Sequence, residues 1–229
     1  MINNKFTTTE KFIFSIVLVH ILIGIYTFFY DSTFFNQYVV EDGYIENFTA
    51  VMLLLSAGFF FVAAFKNQKQ LRAMMIVFGM VFLFGAGEEI SWGQRIWELN
   101  TPEELKSINT QAELNFHNIK VGEVKLNKLI FSTIMYSGIF TYLLVIPLLY
   151  QFSSKVRNFK YLFIPIPRLT QGVLYLAFYL LISVIQDGKL WELQEFTFGV
   201  FLFVTLLYQQ NTRFDQLVSG RLQLNQILA

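Results

Sequence analysis

Apolar positions gather into six long runs, 12–29, 44–65, 73–90, 129–150, 169–185 and 190–208, separated by short polar stretches. A helix needs roughly 20 apolar residues to cross a bilayer. The pattern therefore predicts an all-α membrane protein: a bundle of about six transmembrane helices in one integral-membrane domain over 1–229. The first run is expected to stay as a helix, because no small-x-small cleavage pattern follows it. Between the third and fourth runs, Thr101-Pro102-Glu103-Glu104 has the pattern of a helix start, with Thr as N-cap and Pro in the first turn. Leu105, Ile108, Ala112 and Phe116 then recur at helical spacing. An amphipathic helix over 102–117, lying on the membrane surface or over the bundle mouth, is predicted. The tail 213–229 has no clear apolar stripe and is expected to be a cytosolic end with little structure.

Charge then sets the direction. With six spans both termini share a side. Eleven of the 17 Lys and Arg fall on that side, opposed there only by Glu10 and Asp215; the other 14 of the 16 Asp and Glu fall at the opposite helix ends. The positive-inside rule makes the basic side cytoplasmic and predicts a plasma-membrane location with both termini inside. At 55% hydrophobic, 14% charged and a mean hydropathy of +0.49, the chain falls short of the roughly 25% charged residues of a soluble domain. No basic block points to nucleic acid. The absence of cysteine excludes disulfides, thiolate nucleophiles and cysteine-bound metal.

Within this pattern several carboxylates stand out because they lie in or beside apolar runs, where charge is costly. Glu46 opens the second run. Glu88 and Glu89 end the third, inside Gly87-Glu88-Glu89-Ile90-Ser91-Trp92-Gly93-Gln94-Arg95. Glu192 and Glu195 open the sixth. Helix parity brings them to one end of the bundle. Glu88, Trp92 and Arg95 share a helical face, so Arg95 is expected to neutralise or anchor one of the paired carboxylates. Asn109, Glu113 and His117 recur every four residues, and a Glu and a His at that spacing can share a proton or a metal. Glu88, Glu89, His117 and Arg95 are the catalytic candidates. Trp92, Gln94, Asn109, Gln111 and Asn118 are candidate substrate contacts. Glu46, Glu113, Glu192 and Glu195 are candidate ligands for a divalent cation. His20, in mid-run, is expected to hydrogen-bond to a neighbouring helix. An internal echo relates Glu41-Asp42-Gly43 with Glu46 to Asp187-Gly188 with Glu192, marking two quasi-equivalent hairpins or two unrelated tight turns.

Glu88-Glu89 with a following Arg is similar to the glutamate motif of CAAX-type membrane proteases. Here, however, Arg95 comes six positions after Glu89 where that family has four. One later His stands where the family needs two histidine motifs. A fuller match covers the middle third of the chain. Glu41-Asp42-Gly43 with Glu46, Gly87-Glu88-Glu89 with Ser91-Trp92-Gly93-Gln94-Arg95, and Asn109, Gln111, Glu113 with His117-Asn118 resemble a group of bacterial multipass membrane proteins that has no assigned activity. That resemblance implies a multipass fold and supplies no reaction.

Three functional readings follow. The leading one is a membrane-embedded enzyme working at the outer leaflet on a lipid or lipid-linked substrate. The alternatives are a proton or cation transporter or channel, and a non-enzymatic membrane component. The lipid bilayer is the one partner the composition dictates; oligomeric state is not readable.

Overall fold

The computed structural model describes residues 4–40, 43–67, 69–109, 112–116, 118–121, 124–125, 133–159 and 162–221. Helices run in chain order as α1 (Thr8–Tyr30), α2 (Ser32–Tyr38), α3 (Tyr44–Phe65), α4 (Lys69–Glu89), α5 (Glu103–Ile108), α6 (Met135–Phe140), α7 (Ile146–Phe152), α8 (Ser154–Arg157), α9 (Leu169–Ile182), α10 (Leu190–Tyr208) and α11 (Thr212–Val218). A π-helical turn over Thr141–Val145 joins α6 to α7. A two-residue antiparallel pair, Lys120–Val121 with Val124–Lys125, is the sole strand pairing among the described residues, apart from an isolated bridge between Asn109 and Ile119.

Five helices are long and apolar enough to cross a membrane: Thr8–Tyr30, Tyr44–Phe65, Leu71–Glu89, Met135–Phe152 and Leu190–Tyr208. The apolar helix α9 has 14 residues, about 21 Å at 1.5 Å per residue. The fifth expected run thus forms a helix shorter than 169–185, closed by a turn at Ser183. Large apolar side chains on the long helices face outward: Phe12, Phe29, Val62, Val77 and Val81 are each more than half exposed. So broad an apolar exterior suits hydrocarbon, not water, and the chain is consistent with a multipass membrane protein.

Contacts fix how the segments run. Phe14 stacks on Phe201 with ring centroids 4.5 Å apart, and His20 lies 5.2 Å from Phe196, so α1 and α10 are antiparallel. Phe48 meets Phe196 and Gly199 packs on Thr49, so α3 and α10 run the same way. Tyr136 touches Trp191 at one end of the bundle, while the Tyr150 hydroxyl donates to Gln210 O at the other. The segment 135–152 therefore also runs with α10. Glu10, at the start of α1, pairs with Arg168, the residue before α9. One end of the bundle thus holds the end of α4 and the starts of α3, α6 and α10. The other holds the starts of α1 and α9 and the ends of α3, α7 and α10.

The start of α1 is set by a capping box: the Thr7 side chain accepts from Glu10 N, and Glu10 Oε2 accepts from Thr7 N at 2.9 Å. The helix consequently begins before 12–29. The core around α1, α9 and α10 comprises Phe14, Val17, Ile21, Tyr175, Phe178, Leu193 and Phe201. A second cluster joins α3 and α4 to α11 through Phe60, Met75, Phe214 and Leu217. The tail expectation is corrected here. Phe214 and Leu217, three apart, form a short apolar stripe that is fully buried, and Asn211 caps α11 by accepting from Arg213 N. Residues 222–229 lie outside the described part.

The π-turn has a local cause. Pro147 has no amide to offer the Leu143 carbonyl, and that carbonyl turns toward Gly172 on α9. A Cβ on Gly172 would overlap the Leu143 oxygen. Gly172→Ala is therefore expected to lower stability by about 1–3 kcal/mol, the usual cost of overpacking. Thermal unfolding in detergent measures this; an unchanged melting temperature would show that the two helices can separate freely.

Candidate functional site

Two polar groups occupy the end of the bundle where α4 finishes. Glu88 and Glu89 are consecutive and point about 100° apart on a helix, so they enter different surroundings. Glu88 is 3% exposed and faces the loop that follows. Its Oε1 accepts from Trp92 Nε1 at 2.7 Å, and its Oε2 accepts from the Phe116 amide at 2.8 Å.

Trp92 reaches Glu88 because the helix has already ended. Ser91, Trp92 and Gly93 have φ of 45°, 55° and 74°, a left-handed turn that is costly for the first two. The turn folds the indole back over Gly87, where a Cβ would come within 2.8 Å of the ring. Gly87 and Gly93 thus serve one purpose: the first leaves room for the ring, and the second supplies the positive φ that completes the reversal.

The loop after this turn is held by a polar network. Arg95 pairs with Glu113 Oε1. Glu113 Oε2 accepts from Ser91 Oγ at 2.9 Å and from Asn115 Nδ2 at 2.6 Å. Asn109 Nδ2 donates to the Asn115 backbone oxygen at 2.9 Å, and its Oδ1 accepts from Glu113 N. Gln94 Nε2 donates to Thr101 Oγ1, its Oε1 accepts from Leu114 N, and the Thr101 hydroxyl donates to Ala112 O.

Several expectations are corrected by this loop. Arg95 pairs with Glu113, a partner the helical-face reading did not give it. The helix expected over 102–117 stops at Ile108. Asn109 Oδ1 accepts from the Glu113 amide, with Ala112 at φ 58°, so the two do not meet through a helical stripe. The physical reason is competition: Asn and Glu side chains that bond to nearby backbone favour turns over helix interiors. Thr101 does not cap α5, because its hydroxyl is used on Ala112; Pro102 occupies the cap position. Asn118 is buried, at 5% exposure. His117 and Gln111 lie outside the described residues, as do Glu41 and Asp42 of the expected echo.

The second group is half-buried among the ends of α3, α4 and α10. Glu89 lies within electrostatic reach of Glu46 on α3, Glu192 on α10 and its neighbour Glu88. It makes no hydrogen bond or ion pair of its own among the described residues. Glu195, one turn further along α10, is within reach of the Tyr136 phenol, as is Glu89. Tyr136 is 7% exposed, and its hydroxyl has no partner among the described residues. Across the same helix starts, His20 Nε2 sits 3.2 Å from the Tyr44 hydroxyl, and its Nδ1 sits 2.8 Å from Ile16 O. The expected interhelical hydrogen bond of His20 is thus present. Its partner begins α3, two residues before Glu46. Outside the helical spans, burial raises the Tyr38 phenol well above its usual range, with Tyr44 adding to the effect; Tyr38 donates to His20 O at 3.4 Å.

Sequence reasoning missed Tyr136 and Tyr44. Both look like ordinary interfacial aromatics in an apolar run, and nothing in their spacing marks the neighbours they acquire. Of the metal-ligand candidates, Glu113 has both oxygens engaged in the loop network, while Glu46, Glu192 and Glu195 sit at the starts of α3 and α10. Among the described residues, no three of His, Asp and Glu are grouped as a metal site.

Comparison with protein-family models, with curated proteins and with solved structures finds no match to the chain.

Proposed function

We propose that the protein crosses the plasma membrane six times with both termini in the cytoplasm. In this reading the Glu89 end forms a carboxylate-rich pocket at the outer leaflet. The pocket takes the cationic or proton-donating part of a lipid or lipid-linked substrate, and Glu89 is its acid–base or cation-holding group. The alternation of six apolar segments supports the topology. The observation that carries the function is Glu89 itself: a carboxyl facing Glu46, Glu192 and Glu88 with no cationic partner among the described residues.

Like charges at close range in low dielectric cannot all stay ionised. The group holds a proton or a cation, and either is what an acid–base or cation-assisted step needs. Carboxylate oxygens are the hard ligands that Mg²⁺, Mn²⁺ or Ca²⁺ take, but among the described residues Glu46, Glu192 and Glu195 are not grouped as a metal site, so a bound cation would have to draw them together. The Tyr136 hydroxyl, beside Glu195 and Glu89, is a ready donor to a substrate oxygen. Glu88, Arg95, Gln94, Asn109 and Glu113 then act by position. They hold the loop that bounds the pocket, and Trp92 is part of that hold.

Glu89→Gln is expected to keep the fold and to weaken Mn²⁺ binding in lipid nanodiscs by at least tenfold, read by electron paramagnetic resonance. If wild type binds no Mn²⁺ and Glu89→Gln leaves biological function intact, the reading is wrong. Mn²⁺ or proton flux into sealed proteoliposomes would replace it with transport. Against a through-path, the buried Thr49, Ser56 and Thr197 hydroxyls between α3 and α10 bond back to their own helices.

A further inference from the structure

At the end of the bundle opposite Glu89 there is a cavity of about 1150 Å³, bounded by the end of α7, the residue before α9 and the segment 207–215. It lies 19 residues along α10 from Leu190, about 28 Å away, so it shares no wall with the carboxylate group. Three arginines, Arg157, Arg168 and Arg213, line it against one acid, Asp215. Arg168 is neutralised by Glu10. Asp215 accepts from Gln209 Nε2 at 2.5 Å and lies near Arg221. Among the described residues, neither Arg157 nor Arg213 forms an ion pair.

Arg157 uses Nη1 on the Tyr150 and Gln151 carbonyls, which end α7. Its other guanidinium nitrogens make no hydrogen bond among the described residues. The Arg213 side chain makes none at all there, although its Nη1 is enclosed by protein. Both cations act on the same group, the Tyr150 phenol, so they converge on one wall. Enclosed acceptors stand in the same lining: Asn4 Oδ1 and Gln210 Oε1 are buried without a donor among the described residues. Arg168, itself 5% exposed, keeps a buried Nε without an acceptor among the described residues.

A buried polar atom without a partner is costly, so this lining favours a bound group that completes it. What completes it must bring anionic oxygens for the guanidinium forks and hydroxyls for the two amide oxygens. Planar guanidinium forks match phosphate oxygens. We propose that this cavity binds a phosphate ester carrying free hydroxyls, of the glycerol phosphate type. Such a group comes from an anionic lipid headgroup or from a soluble glycerol phosphate. Basic pockets beside membrane helices are a recurring means of holding the former.

The test uses the whole protein in nanodiscs. Phosphatidylglycerol retention is measured by native mass spectrometry after mixing with phosphatidylcholine. sn-Glycerol 3-phosphate is titrated calorimetrically in phosphatidylcholine alone. Selective retention of phosphatidylglycerol assigns the lipid source; saturable heat with the soluble ester assigns the other. In either case the double variant R157Q/R213Q is expected to weaken binding at least tenfold. Should the double variant not purify folded, Arg213→Lys, which keeps the charge but loses the fork, is expected to weaken it several-fold. Equal affinity of wild type and variant, or no preference of wild type for either probe, overturns the proposal. Glu89→Gln should leave this binding unchanged, which separates its failure from that of the carboxylate pocket.

Discussion

Glu10→Gln is expected to destabilise the folded protein by about 3–5 kcal/mol, the cost of leaving one member of a buried ion pair without its partner. Glu10 is 0% exposed and Arg168 is 5% exposed. Glu10 Oε1 accepts from Arg168 and from Gln171 Nε2 at 3.0 Å, while Oε2 closes the capping box at Thr7. A glutamine there removes the negative charge and leaves the buried Arg168 without its counter-ion. Gln171 on α9 also donates to Glu10 on α1, and no second ion pair joins these two helices among the described residues. Thermal unfolding in detergent is the measurement. A matched control replaces both partners by leucine and methionine, which should recover much of the loss because no buried charge is then left alone. If the single variant melts like wild type, the pair does not hold the two helices.

Glu88→Ala is expected to free the loop from α4 while the helical core stays folded. Two hydrogen bonds to a charged acceptor disappear, from the Trp92 indole and the Phe116 amide, each worth about 1.5–3 kcal/mol. The loop has further ties, through Arg95 with Glu113 and Gln94 with Leu114, so release should be local. Limited proteolysis should cut within 94–119 faster in the variant, and the Trp92 emission should shift to the red. Glu89→Gln should do neither, although it is the adjacent carboxylate. Equal effects from the two substitutions would contradict the division of labour between them.

That division bears on how much the sequence revealed. The starts of α3 and α10 match the runs at 44–65 and 190–208, because uninterrupted apolar stretches follow a turn and nothing competes with helix. Parity alone predicts that the end of α4 and the starts of α3 and α10, which carry Glu89, Glu46 and Glu192, share one end of the bundle. The loop was not. Asn109, Glu113 and Asn115 read equally well as a helical stripe or as side chains bonding to nearby backbone, and single-chain periodicity cannot choose between them. Arg95 went to Glu113 because the left-handed turn at 91–93 ended the helix that would have carried it alongside Glu88. The buried α11 was also hidden: three apolar residues in seven, Phe214, Leu217 and Val218, are too few to register as a stripe until α3 and α4 provide the surface they cover.

Under the six-crossing topology the shortness of α9 has a further meaning. Fourteen residues span about 21 Å against a hydrocarbon thickness of roughly 30 Å, and the bilayer relieves such mismatch by thinning locally. Lipids beside α9 would then be drawn inward around Ile182, placing polar headgroups near the level at which α10 begins. Such a dimple would bring the reactive end of a lipid toward Glu195 without the molecule having to leave its leaflet.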